Sequence, residues 1–67
     1  MNFIIDIEKR AEVVGNDIVK NNSTIRDTAR RLKMSRSTVY NDYRLLKKTN
    51  IKLFESAEKI ILNNKNV

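Results

Sequence analysis

Apolar residues in the first third of the chain recur at helical spacing. Ile4, Ile7, Ala11, Val14 and Ile18 stand three or four positions apart and so share one face. Asp6, Glu8, Lys9, Arg10, Glu12, Asn16 and Asp17 fall largely on the other. The pattern predicts a first helix from about Asn2 to Lys20, ending in the Asn21-Asn22-Ser23 break. Gly15 lies inside it, where glycine costs about 1 kcal/mol relative to alanine; close approach of another helix is the expected compensation, and a kink is the alternative. Thr24 with Asp27 three residues on has the form of a capping box and starts a second helix that runs to about Leu32. Asp27 also suits the positive end of that helix dipole. After Lys33-Met34-Ser35, Ser35 is placed to cap a third helix from Arg36 to about Lys47. Val39, Tyr43 and Leu46 form its inward stripe, while Ser37, Tyr40, Asn41, Arg44 and Lys48 point the opposite way. Asn50 caps a last helix whose buried face is supplied by Leu53 or Phe54, Ala57, Ile60 and Ile61. Asn63 to Val67 has no apolar pattern and is expected to fray.

Two short helices joined by a three-residue turn have the geometry of a helix-turn-helix, here at about residues 24–47 of a single domain spanning residues 1–67. Ala29 is the small residue at the crossing, and Leu32, Met34 and Val39 fill the apolar positions around it. Thr28 stands where an aliphatic residue is usual, which weakens the expected packing. Lys33 opens the turn where glycine is usual, so it must adopt positive φ at a steric cost, or the turn must differ. One glycine and no proline leave little room for sheets with tight hairpins. The expected fold is all-α: a small helical bundle of about four helices containing a helix-turn-helix.

Length and composition narrow the function. A 67-residue chain makes one small domain, burying only roughly 60% of the surface it exposes when unfolded. Without cysteine or histidine, there are no disulfides, zinc fingers, cysteine nucleophiles or the usual neutral-pH general base. The lack of cysteine also fits a reducing, cytoplasmic setting. No apolar run approaches the roughly 20 residues of a membrane-spanning helix, and acids inside the apolar start MNFIIDIEKR do not read as a secretion signal. Glycine-rich phosphate loops, metal-ligand clusters and nucleophile–base pairs are missing from the sequence. Glu55 and Glu58, three apart on an exposed face, read as solvated charges. No enzymatic activity, cofactor or small-molecule ligand is expected.

Charge is distributed unevenly. Lys plus Arg is 14 against 8 for Asp plus Glu, a net of +6. From Arg26 to Lys52 there are nine basic residues against Asp27 and Asp42, a net of +7; the remainder holds five basic and six acidic residues, a net of −1. Positive charge gathered in one segment of a small domain implies an anionic partner, and double-stranded DNA is the expected one.

The segment from Met34 to Tyr43, MSRSTVYNDY, is similar to the recognition-helix region of bacterial regulators. Over about Ile7 to Lys65 the chain resembles the stage III sporulation protein D family, small DNA-binding regulators of endospore-forming bacteria. The likeness is carried by Ile7 and Arg10, Gly15, Ile18-Val19, Thr24, Arg26, Ala29, Ser35, Ser37-Thr38-Val39, Asp42, Asn50, Leu53 and Ile60. The chain departs from the family in having Lys47 and Ile51 where prolines flank the start of the last helix. Only Lys65 stands near the end of the sequence, where the family carries a supplementary basic tail, so weaker DNA affinity is expected. The resemblance implies a sequence-specific transcriptional regulator. It also implies a structural role for Asp42, with Arg30 or Arg31 as the expected partner.

A helix fits the B-DNA major groove, and the outward face of the third helix can reach base edges. Arg36 and Arg44 can each make a bidentate pair with guanine, and Asn41 with adenine. Ser37 and Tyr40 can meet a base or a thymine methyl, Tyr40 alternatively a phosphate. Ser35, Thr38 and the backbone amides at Thr24 and Ile25 suit phosphates, since helix amino ends attract anions. Arg26, Arg30, Lys33, Lys47 and Lys48 supply non-specific attraction. With no apolar stripe left once four helices close, the chain is expected to be a monomer in solution. Two other readings stand beside this one: the DNA-binding domain of a recombinase or transposase, and a basic protein-interaction module that docks an acidic partner.

Overall fold

The computed structural model describes residues 6–64 and contains four helices in that span: α1 (Ile7–Asn21), α2 (Ile25–Leu32), α3 (Arg36–Thr49) and α4 (Ile51–Asn64). No strand occurs among the described residues. Each helix begins on a polar side chain that satisfies an otherwise unpaired amide. Asp6 accepts from the Lys9 amide at 3.1 Å, Thr24 from Asp27 at 3.1 Å, Ser35 from Thr38 at 3.1 Å and Asn50 from Leu53 at 3.2 Å. Because Asp6 is extended and caps the helix, α1 starts at Ile7 and not near Asn2; Asn2 and Ile4 lie outside the described residues. The expected burial of Ile7 also fails. In the first turn it projects past the core and is 51% exposed. Of the capping box at α2, only the Thr24 half forms. Asp27 contributes its charge near the helix start but makes no side-chain bond back to Thr24.

The breaks between helices follow from backbone geometry. α1 ends on Asn22 at φ 51°, and α2 on Lys33 at φ 58°, both left-handed. Lys33 therefore does adopt the conformation its place in the turn demands. In return, the Met34 amide donates to the Ala29 carbonyl at 2.9 Å and the Lys33 amide to Arg30 at 3.3 Å, the paired closure of a Schellman motif. Between α3 and α4 stands a single residue. Asn50 donates its amide to Leu46 at 2.8 Å to close one helix, while its side chain opens the next. Asn63 and Asn64 remain helical and do not fray, and the Asn64 amide group reaches the Asn22 carbonyl at 3.4 Å. Residues 65–67, Lys65 among them, lie outside the described span.

α1 is the hub. It packs most extensively against α3 and next against α4, and α2 lies across α3. Ala11, Val14, Ile18, Ala29, Val39, Tyr43, Leu46, Phe54 and Ala57 form the core. Gly15 lies where α1 meets both α3 and α4. A Cβ there would stand 2.6 Å from Leu46 Cδ1 and 2.9 Å from Leu53 Cδ2, so close approach, not a kink, is its reason. Thr28 does not weaken the packing. It is fully buried with its hydroxyl satisfied, donating to Asp17 Oδ2 at 2.8 Å and lying 2.7 Å from Ser23 Oγ. Since the Thr28 proton goes to Asp17, the Ser23 hydroxyl donates to Thr28.

Candidate functional site

α3 presents two chemically opposite faces. Its inward face carries Val39, Tyr43, Leu46 and one acid, Asp42, which is 3% exposed. Arg10 on α1 holds that carboxylate through Nε at 2.6 Å and Nη2 at 3.1 Å, a two-pronged pair. Asp42 therefore pairs with α1. Neither Arg30 nor Arg31 reaches it: Arg30 lies exposed on α2, and Arg31 binds Asp17 at 2.8 Å. Hydrogen bonding to Asp42 raises the Arg10 pKa above its ordinary value, outweighing the opposite pull of burial. The Arg31 bond, aided by Thr28 and Asn21, lowers the Asp17 pKa although burial opposes it.

Asp42 is the only acid in α3 and it is buried and neutralised, so the outward face is basic and polar throughout. Arg36, Ser37, Tyr40, Asn41 and Arg44 are all exposed on it, and Lys47 and Lys48 continue it toward the carboxyl end. Two open clefts flank this face. One, of about 800 Å³, brings Thr24 at the cap of α2 and Ile25, Arg26 and Arg30 within it together with Arg36, Ser37 and Tyr40. The other, of about 740 Å³, joins Tyr40, Asn41, Arg44, Lys47 and Lys48 to Tyr43, Phe54 and Glu58. Tyr40 is common to both and forms the ridge between them. Burial, and then the Glu58 carboxylate, pushes the Tyr43 phenol above its ordinary pKa.

Lys33, Ser35 and Thr38 stand outside both clefts, at the turn. The Ser35 hydroxyl donates to Thr38 Oγ1 at 2.8 Å, so of these two hydroxyls only that of Thr38 keeps its proton for an outside acceptor. Thr24 likewise only accepts within the chain, from the Asp27 amide, and its proton is free. Asp27 lines the first cleft as well and is the one acid on it. Sequence reasoning misses Arg10, Asp17 and Ser23 as parts of the frame that holds α2 and α3. The place of Arg10 in the family likeness, beside Ile7, is the only hint of its role. It also misses Ile61 and Asn64, which bring the end of α4 to the first cleft.

Fold and site together define a small helix-turn-helix bundle whose second motif helix carries an exposed basic face. Residues 4–67 match the family model described as Stage III sporulation protein D, and the chain belongs to that family. It is a family of sporulation transcription regulators, not of enzymes. No curated protein and no solved structure gives a significant match. No helix of the described residues is long and apolar enough to cross a membrane.

Proposed function

We propose that the chain, a monomer in solution, regulates sporulation transcription by binding double-stranded DNA sequence-specifically, with α3 in the major groove. The observation that carries this reading is the burial of Asp42 against Arg10, which leaves α3 with no acid on its outward face. Arg36 and Arg44 pair with guanines and Asn41 with adenine, Ser37 meets a base or a thymine methyl, and Tyr40 lies beneath Arg44 on the same face. The free amides at Thr24 and Ile25, with Ser35, Thr38, Arg26, Arg30, Lys33, Lys47 and Lys48, take phosphates and set the register of the helix on the duplex. Membership of a regulator family favours this over a recombinase domain.

Titration of a duplex in rising salt, with bound sites selected from random duplexes, tests the proposal. Log affinity is expected to fall linearly with log salt, with a slope near −0.9 per phosphate neutralised and about four to six phosphates involved. Arg36→Ala or Asn41→Ala flattens preference at one or two positions of the selected site. Lys47→Ala or Lys48→Ala weakens binding to every duplex alike. Affinity indifferent to salt would point instead to an acidic protein partner.

A further inference from the structure

Tyr40 is 48% exposed in the middle of the outward face, yet its ring is not a free probe. On one side it packs on Tyr43, ring centroids 6.0 Å apart and tilted by 42°. Tyr43 is itself buried and stacks on Phe54 at 5.0 Å and 26°. An aromatic column thus runs from the core through Tyr43 to the surface. One helical turn along, the Arg44 guanidinium carbon lies over the Tyr40 ring, 5.8 Å from its centroid. No carboxylate among the described residues forms an ion pair with Arg44. Among the described residues, the Tyr40 ring is its one cation–π partner.

We infer that Tyr40 acts as a positioning residue for Arg44, holding the guanidinium over its ring so that Arg44 meets its base pair already ordered. This rests on the reading of α3 as the base-reading helix. Arginine has a long, rotamer-rich side chain, and immobilising such a chain on binding costs affinity. A cation–π contact reduces that cost without spending a donor. The guanidinium is attracted by the ring's face and keeps its N–H fork for the two acceptors of guanine. Arg36, one turn before Tyr40 on the same cleft, makes no cation–π contact among the described residues and serves as the internal control.

The test has two arms. In the free protein, the side-chain methylene protons of Arg44 should resonate upfield through the Tyr40 ring current. The shift should persist in Tyr40→Phe and vanish in Tyr40→Leu. Its absence from the wild-type chain overturns the inference whatever DNA does. On the selected duplex, Arg44→Ala locates the base pair that Arg44 reads. Tyr40→Leu should then lose about two- to five-fold of discrimination at that same pair, and Tyr40→Phe almost none. Tyr40→Leu combined with Arg44→Ala should be no worse than Arg44→Ala alone, whereas Tyr40→Leu and Arg36→Ala should multiply. If the Tyr40 and Arg44 losses multiply, or Tyr40→Leu flattens a different pair, Tyr40 reads the DNA itself and the inference fails while the functional reading stands. A wild-type chain that binds no duplex overturns the functional reading, and with it the role given to Arg44.

Discussion

Asp42 and Asp17 are both held by an arginine across a helix boundary, and they differ in how many groups share the work. Asp42, 3% exposed, has Arg10 as its one side-chain partner and ties α3 to α1. Asp17, 11% exposed, is bonded by Arg31, Thr28 and Asn21, and ties α2 to α1. The two limbs of the helix-turn-helix are therefore fastened to one scaffold by unlike means. The helix with the exposed basic face is tied by a single buried charge pair, and the supporting helix by a distributed, partly solvated network. A buried ion with one partner is expensive to orphan, while a carboxylate with three partners loses only a share of its support.

The largest expected effect follows from that contrast. Arg10→Met keeps the aliphatic stem and leaves Asp42 buried without a counter-charge. The cost should be about 3 kcal/mol, at the lower end for such pairs because Arg10 itself is one-third exposed. Adding Asp42→Asn removes the orphaned charge and should recover about 1 kcal/mol or more. Denaturant unfolding of the single and double variants measures both, and a double variant less stable than Arg10→Met would dissolve the contrast. Ala29→Leu drives a wedge into the α2–α3 crossing that both ties secure, and overpacking there should cost about 1–3 kcal/mol. An unchanged thermal midpoint would mean the two helices are free to separate.

Arg31→Ala should cost less than Arg10→Met, since Arg31 is largely solvated and Thr28 and Asn21 remain. Its more telling signature is in pH. The folded-state pKa of Asp17 lies below its unfolded value, chiefly through Arg31. The stabilisation it brings is complete above the ordinary aspartate range and is lost as pH falls through the depressed value. Arg31→Ala should move that acid loss to higher pH, as read from the Asp17 carboxyl resonance. No movement would assign the depression to Thr28. The smallest effect is a gain. Lys33→Gly relieves a left-handed lysine, partly offset by the greater freedom of glycine in the unfolded chain, for a net of about 0.5 kcal/mol. A lower midpoint would show that the Lys33 side chain itself supports the turn.

What could be read from the chain divides along the same line between local and distant. The caps at Thr24, Ser35 and Asn50 are legible because a side chain and the amide three residues on are neighbours in any helix start. At Lys33 and Gly15 the sequence narrows the choice to two, a left-handed residue or an altered turn, and close approach or a kink, and packing selects the first of each. The partner of Asp42 is not legible. Arg10, Arg30 and Arg31 carry the same chemistry, and only the packing of α1 on α3 brings Arg10, thirty-two residues away, into reach. Thr28 misleads for a related reason. Beside an aliphatic core it looks like a defect until Asp17 and Ser23 arrive from α1 and the first turn to satisfy its hydroxyl. At the candidate site, the outward face of α3 follows from its period alone, whereas the aromatic column beneath it depends on Phe54 of α4.

The central position of α1 also sets the order in which the molecule can fold. Contacts within the α2–turn–α3 unit are close in sequence and could form early, but most of the apolar surface of α3 is covered by α1 and α4. Its tie to Arg10 closes a loop of about thirty residues, whose entropy must be lost before that burial is gained. The rate-limiting event expected from this is the docking of α1 onto α3, not the formation of the turn. With the turn formed before that step, Lys33 should appear mainly in the folding rate, and Gly15 and Arg10 should divide between the folding and unfolding rates according to how far α1 has docked. A fragment beginning at Ser23 would keep every residue of the helix-turn-helix, with α4, and should remain a fluctuating set of helices without α1.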